Sequence, residues 1–116
     1  METKYGTEDA GFSIQYEDAQ KRLCVTGWGY WQSELPQQFG TVVVQAIRTR
    51  PGSTPVRMVM SAMKPMSQES LTSFADILEA AGAKVTVETR NALIRLQLLQ
   101  IVNKTRAKDR VEFIST

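Results

Sequence analysis

The order of hydrophobic patterns along the chain constrains its fold more than any single motif does. Two strand-like segments come first, and three helix-like segments follow, each leading into a further strand-like segment, all within 116 residues. The polar turn at residues 17–21 is too short for a helical crossover, so the first two strands should pair antiparallel. Later strands are each reached through a helix, which favours right-handed crossovers between parallel neighbours. The order predicts an α/β fold with a mixed, mostly parallel sheet, an N-terminal antiparallel hairpin and about three helices (β-β-α-β-α-β-α-β).

The periodicity of each segment assigns the elements. Phe12, Ile14 and Tyr16 alternate with small or polar residues, as in a half-buried strand. Residues 23–26 are apolar at nearly every position, which predicts a strand covered on both faces. Residues 1–9 are polar and are predicted to form a flexible tail before a single domain at 10–116. The side chains predicted to lie in one core are Phe39, Val43, Ile47, Val59, Phe74, Leu78 and Val85.

Three polar residues stand where helices are expected to begin. Ser33, Ser67 and Thr89 each precede an apolar pattern with helical spacing, and short polar side chains at such positions cap the free N–H groups of the first turn. Met66 and Leu71 flank Ser67 at the spacing of a hydrophobic staple. The sequence therefore predicts three N-caps.

The residue types exclude most catalytic chemistry. The chain has no histidine and one cysteine, Cys24, so we expect no internal disulfide, no zinc site and no Ser-His-Asp or Cys-His centre. It also lacks a paired-carboxylate motif and a complete phosphate-binding loop. We therefore expect no enzymatic activity, no cofactor and no metal. A single cysteine is most simply accommodated in a reducing, cytoplasmic compartment.

Charge is distributed unevenly along the chain. Residues 1–46 carry three basic and six acidic side chains, whereas residues 47–116 carry eleven and six. Two interpretations stay open: a solvated helix face with a charged loop, or a basic docking surface for an acidic partner or a phosphate-bearing ligand. The net charge of +2 does not by itself suggest nucleic acid. The excess of positive charge lies mainly in Arg90, Arg95, Lys104, Arg106, Lys108 and Arg110.

Two segments are candidates for the working surface of the fold. Each passes from a buried strand towards a helix, and the carboxyl ends of strands are where open α/β sheets usually meet ligands or partners. The first is Gly27–Trp31, whose aromatic residues either cap the sheet beside a tight turn or anchor an interface. The second is Lys64–Leu71. If their strands are parallel neighbours, the two segments form one surface.

The element order and lengths, with the strand-loop-helix run at residues 56–71 and the following strand at 83–87, resemble the STAS domain of anti-sigma-factor antagonists. In that family the turn before the second helix carries an Asp-Ser-x-Gly-Leu-like motif, whose serine or threonine is phosphorylated by a partner kinase. This chain has Ser67-Gln68-Glu69-Ser70-Leu71 there, which sets Glu69 on the acceptor position. Either Glu69 supplies a fixed negative charge, or a shifted register makes Ser67 or Ser70 the phospho-acceptor.

The resemblance implies a non-enzymatic regulatory domain that works by protein–protein interaction in bacterial signal transduction. The partner would be an anti-sigma factor or a serine-kinase-like protein in a partner-switching system. Two alternatives stay open: an accessory subunit of a membrane transporter ATPase complex, and a small-ligand module for a nucleotide or a lipid. We expect no nucleic-acid binding and no direct membrane insertion, and self-association as a homodimer stays open. The residues expected to contact the partner are Trp28, Tyr30, Trp31, Ser67, Gln68, Glu69 and Ser70.

Overall fold

A computed structural model describes residues 2–115 of the chain. Strands and helices follow one another along the sequence, and a single-turn 3-10 helix at Lys108–Arg110 leads into the last strand. The strands are β1 (Thr3–Gly6), β2 (Gly11–Glu17), β3 (Arg22–Gly29), β4 (Val56–Met63), β5 (Val85–Thr89) and β6 (Val111–Ser115). The helices are α1 (Leu35–Arg48), α2 (Gln68–Ala80) and α3 (Ala92–Lys104).

The six strands form one sheet whose spatial order is the same as their order in the sequence. β1, β2 and β3 pair antiparallel, and β3, β4, β5 and β6 pair parallel through the three helical crossovers. The predicted α/β class, the mixed sheet, the antiparallel N-terminal hairpin and the three helices are confirmed.

All three helices cover the same face of the sheet. α2 packs between α1 and α3. β3 and β5 alternate between buried and half-exposed residues, and β4 does so until Ser61, after which Ala62 is exposed and Met63 is buried. The prediction that residues 23–26 are covered on both faces is therefore wrong, because Leu23 and Val25 are buried whereas Cys24 and Thr26 lie on the open face. Val59, predicted in the core, lies half-exposed on that same open face.

The N-terminus departs from the predicted flexible tail, because Thr3–Gly6 is the edge strand β1. Tyr5 pairs opposite Phe12, and their rings stack with centroids 4.8 Å apart and planes 13° from parallel. The other residues of β1 are exposed. Their polar sequence therefore resembled that of a flexible tail, which is what was predicted. One aromatic residue is enough here to pair the segment with β2.

The core lies between the helices and the covered face of the sheet, and aromatic rings fill its centre. Phe39 contacts Phe12 edge-on at 5.3 Å between centroids, Trp31 at 4.5 Å and Phe74 at 6.3 Å. Of the predicted core set, all but Val59 and the partly buried Ile47 are fully buried. Four methionines fill the space around the rings, as their adaptable side chains allow: Met58, Met60, Met63 and Met66.

A close crossing joins α1 to α2. An added Cβ at Gly40 would lie 3.1 Å from the Cβ of Ser73, which is tighter than an ordinary van der Waals contact, so glycine favours this close approach. The Ser73 hydroxyl, itself buried, donates a 2.6 Å hydrogen bond to the carbonyl oxygen of Pro36. The bond satisfies a buried hydroxyl and fixes the position of α2 against the first turn of α1.

Of the three predicted N-cap residues, one is confirmed by the structure. Ser67 caps α2, as predicted. α1 starts at Leu35 after Glu34, which makes no side-chain cap, while Ser33 has a left-handed backbone with φ of +57°. α3 is capped by Asn91, not Thr89, because the Asn91 side-chain oxygen accepts from the N–H groups of the second and third helical residues. The Thr89 hydroxyl instead accepts from the Asn91 N–H one step earlier.

Candidate functional site at the carboxyl edge of the sheet

The two candidate segments meet at one edge because β3 and β4 are parallel neighbours. Gly29, the last residue of β3, is in register with Met63, the last residue of β4. The N–H of Lys64 then donates a 3.1 Å hydrogen bond to the carbonyl oxygen of Gly29, so the two segments leave the sheet side by side. The expectation that they share the carboxyl edge is confirmed.

Trp31 faces inward. Its indole is 2% exposed, and its N–H donates to the carbonyl oxygens of Gly11 at 3.0 Å and Trp28 at 3.1 Å. Gly27 makes room for it, because a Cβ there would lie 2.9 Å from the Trp31 ring. Trp31 therefore caps the core, as the structural interpretation held, and does not reach a partner from this position.

Trp28 and Tyr30 lie outside the core. Trp28 is half-buried, and its indole N–H donates a 2.8 Å bond to the carbonyl oxygen of Thr7, which ties the β1–β2 turn to β3. Gly29 turns the chain between them with a φ of +78°, a conformation that glycine adopts without strain. Tyr30 is 43% exposed, which makes it the most exposed of the three aromatic side chains in this turn.

The serines of the second segment are engaged in the start of α2. The hydroxyl of Ser67 accepts a 3.2 Å bond from the N–H of Ser70, and the two hydroxyl oxygens lie 3.1 Å apart. Ser70 is 1% exposed. It is therefore a buried part of the cap, and it lies out of reach of a partner or a kinase in this conformation. Ser67 is half-buried, while Gln68 and Glu69 are exposed.

Gln97 of α3 holds the backbone of this segment in place, a role that the sequence did not reveal. Its side-chain oxygen accepts from the Met66 N–H at 2.9 Å, and its side-chain nitrogen donates to the Met66 carbonyl at 3.0 Å. The two bonds satisfy both backbone groups of one loop residue. A glutamine in the middle of a helix carries no signal of such a contact, since it is equally at home facing water.

The exposed side chains that remain define the carboxyl-edge surface: Tyr30, Lys64, Pro65, Gln68 and Glu69. Glu69 lies in the first turn of α2, where a carboxylate is favourable to the helix dipole. The surface combines one aromatic ring, one cation and one anion on a backbone fixed by the cap and by Gln97. Its exposed phenol, ammonium and carboxylate groups can make directional contacts with a protein.

Ion pairs elsewhere are structural. Arg57 and Glu88 form a two-pronged pair across β4 and β5 on the open face, and one prong measures 3.1 Å. The hydrogen bond from Arg57 holds the pKa of Glu88 below its ordinary value.

On the same open face, burial raises the pKa of the Cys24 thiol. The thiol therefore stays protonated at neutral pH, which disfavours a nucleophilic role.

The described residues offer wide, shallow grooves. One of about 680 Å³ lies beside Trp28 and is lined by Lys4, Glu8, Ser13 and Thr26 among others. Within residues 2–115 no three histidine, cysteine or carboxylate side chains converge to hold a metal ion. Over the same range no helix combines the length and the apolar character that crossing a bilayer requires.

Compared with known proteins, the chain matches no protein-family model and no curated protein.

Proposed function

We propose that the chain is a non-enzymatic regulatory domain that binds a protein partner through the carboxyl-edge surface. It resembles an anti-sigma-factor antagonist of the STAS type, and we place it in the bacterial cytoplasm within a partner-switching system. The partner would be an anti-sigma factor or a serine-kinase-like protein.

One observation carries the proposal, namely the parallel register that ends β3 and β4 together. The Gly29–Met63 pairing and the Lys64–Gly29 hydrogen bond bring an exposed tyrosine and the α2 N-terminus onto one rigid edge. Aromatic side chains are enriched among the residues that dominate binding energy, and charged neighbours select the partner.

Glu69 is proposed to supply the fixed negative charge of this surface. It occupies the position that the resemblance assigns to the phospho-acceptor, and it is exposed. Ser70 is buried and Ser67 is committed to the cap, which favours the fixed-charge version over a shifted phospho-acceptor. A partner that recognises Glu69 should therefore present a basic group.

The test is comparative capture from the native host. Tagged wild type, the double variant Tyr30→Ala/Glu69→Lys and the control Gln45→Lys are each used as bait, and recovered proteins are quantified by mass spectrometry. Gln45 is exposed near the end of α1, towards the opposite edge of the sheet. We expect one protein that is retained by wild type and control and lost with the double variant. A protein retained equally by all three baits would place the binding surface elsewhere.

The same spectra report on the charge. Unmodified Ser67 in the captured complex agrees with a fixed charge at Glu69. Stoichiometric phosphate on Ser67 would show that the acceptor register is shifted.

A further inference from the structure

Helix α3 is apolar on two opposite faces. Ile94, Leu98 and Val102 are buried against the sheet. On the outward face, Leu93, Leu96 and Leu99 are 51%, 53% and 40% exposed. Among residues 2–115, five large apolar side chains are exposed, and these leucines are three of them. A helix that is apolar all round is normally buried on all sides. Leu93, Leu96 and Leu99, here called the leucine ridge, are instead exposed to solvent.

Basic side chains dominate the chain segment that carries the leucine ridge, although the Glu79 carboxylate of α2 lies at its far end and accepts a 3.2 Å hydrogen bond from the Arg106 N–H. The segment at residues 89–108 contains no aspartate or glutamate. Its basic side chains are Arg90, Arg95, Lys104, Arg106 and Lys108, all exposed. Arg95 lies over the ring of Phe113 at 5.8 Å, which directs its charge to the β6 side of the ridge. Arg90 precedes α3 and Lys104 ends it, so cations stand at both ends of the ridge and on one flank.

We propose that the leucine ridge is the docking site of an acidic amphipathic helix from a protein partner. Leucines three residues apart form a ridge that runs obliquely across the outward side of the helix, and such a ridge packs into the groove between side-chain rows of a second helix. Acidic residues flanking the apolar stripe of that second helix would pair with the cations at the ends of α3. The leucine ridge shares no residue with the carboxyl-edge surface, and this proposal does not depend on the function proposed for that surface.

Charge argues against a second copy of this chain as the occupant. Pairing α3 with its own copy would bring two basic segments together, and neither segment contains a carboxylate. Like charges in apposition are unfavourable.

Polarity argues against a lipid surface. Gln100 and Asn103 are exposed on the same outward face, and burying their amides in hydrocarbon would leave them without partners. A protein helix can supply those hydrogen bonds.

The small area of the leucine ridge limits the affinity expected for the partner helix. A stable interface covers about 800 Å² on each partner, which three leucines do not supply alone. The contact must therefore extend onto the flanking cations, and its affinity should weaken as salt is added because exposed ion pairs are screened.

The probe is a synthetic helical peptide with leucine at the a and d positions of its heptads and glutamate at the flanking positions. Amide chemical shifts of the full chain are followed during titration. We expect the largest changes along α3, weaker binding at high salt, and an increase in Kd of at least about tenfold in Leu96→Ser. Leu93→Ser, made separately, should act in the same direction. Both side chains are more than half exposed, so circular dichroism should show folded variants.

The matched control is Ile114→Ser, an aliphatic side chain of similar exposure, 39%, on the open face of β6, which should leave peptide affinity unchanged. A peptide with lysine in place of glutamate should not bind. The proposal is overturned if the lysine peptide binds equally well, or if the glutamate peptide fails to bind. It is also overturned if the ridge leucines govern binding to phosphatidylserine vesicles or self-association in sedimentation, without an effect on the peptide.

Discussion

At the scale of single residues, Phe74 tests where the core lies. It is fully buried in α2 and contacts Phe39. Phe74→Ala should lower the free energy of unfolding in urea by about 3–5 kcal/mol, because it removes a buried ring and leaves a cavity. Leu96→Ala on the exposed face of α3 is the matched control and should change stability by about 0.5 kcal/mol or less. A loss below about 1 kcal/mol for Phe74→Ala would contradict the described core.

Glu88 tests the ion pair on the open face. Arg57 lowers its pKa from the ordinary value of 4.5, so the folded state favours the carboxylate. This contribution to stability is complete above pH 4.5 and is lost as pH falls through the lower folded value. Glu88→Gln should therefore destabilise the protein at neutral pH and lose less stability than wild type on acidification to about pH 3. Parallel stability-against-pH curves in urea unfolding would refute the pairing.

Residue types alone could not predict that Trp31 is buried while Tyr30 is exposed, or that Ser70 is buried while Glu69 is exposed. Both members of each pair lie in the same turn or the same helical start, and a single sequence shows no period across so short a segment. Packing decides the outcome: the space left by Gly27 takes the Trp31 ring inward, and Ser70 is buried with its hydroxyl 3.1 Å from that of Ser67. The sequence thus predicted where the candidate site lies, but it did not predict which side chains are exposed there.

At the scale of elements, the caps test how the helices start. Ser67→Ala and Asn91→Ala should each cost about 1 kcal/mol of unfolding free energy, since each removes an acceptor for the first-turn N–H groups. Ser33→Ala should be nearly silent, because its side chain does not cap α1. Equal effects of all three substitutions in thermal or urea unfolding would be inconsistent with the observed caps.

Strand β1 tests whether the N-terminus belongs to the fold. Tyr5→Ser removes a ring stacked on Phe12 and should cost at least about 1 kcal/mol. Lys4→Ser, at the exposed neighbouring position, is the control and should have little effect. If residues 2–6 behaved as a tail, both substitutions would leave urea unfolding unchanged.

Periodicity predicted β2 to β6 and all three helices, because each carries several apolar residues at a consistent spacing. It failed for β1, where only Tyr5 contacts the core, and for the two-sided burial of β3, where Cys24 and Thr26 are compatible with either environment. In α3 the apolar residues run round the whole helix, so periodicity does not distinguish its buried face from its exposed one. Burial of the leucines cannot be inferred from an apolar pattern that runs around the whole helix.

At the scale of the whole molecule, topology determines the surfaces that the chain can present. Because strand order equals sequence order from β3 to β6, each crossover steps in the same direction and places its helix on the same face. The carboxyl ends of β3 and β4 consequently form a single edge, as the sequence predicted on the condition that these strands are parallel neighbours. The chemistry of the partner was not predictable from that order, since it depends on which side chains remain exposed there.

The central claim is that the carboxyl-edge surface binds a protein partner, and calorimetric titration of the captured partner tests it most directly. Tyr30→Ala should weaken binding by about 2 kcal/mol if the ring is an anchor, and Glu69→Lys should weaken it through charge reversal. Gln45→Lys should bind like wild type, and all three variants should stay folded by circular dichroism. If Tyr30→Ala and Glu69→Lys are folded and bind with wild-type affinity, the claim is contradicted.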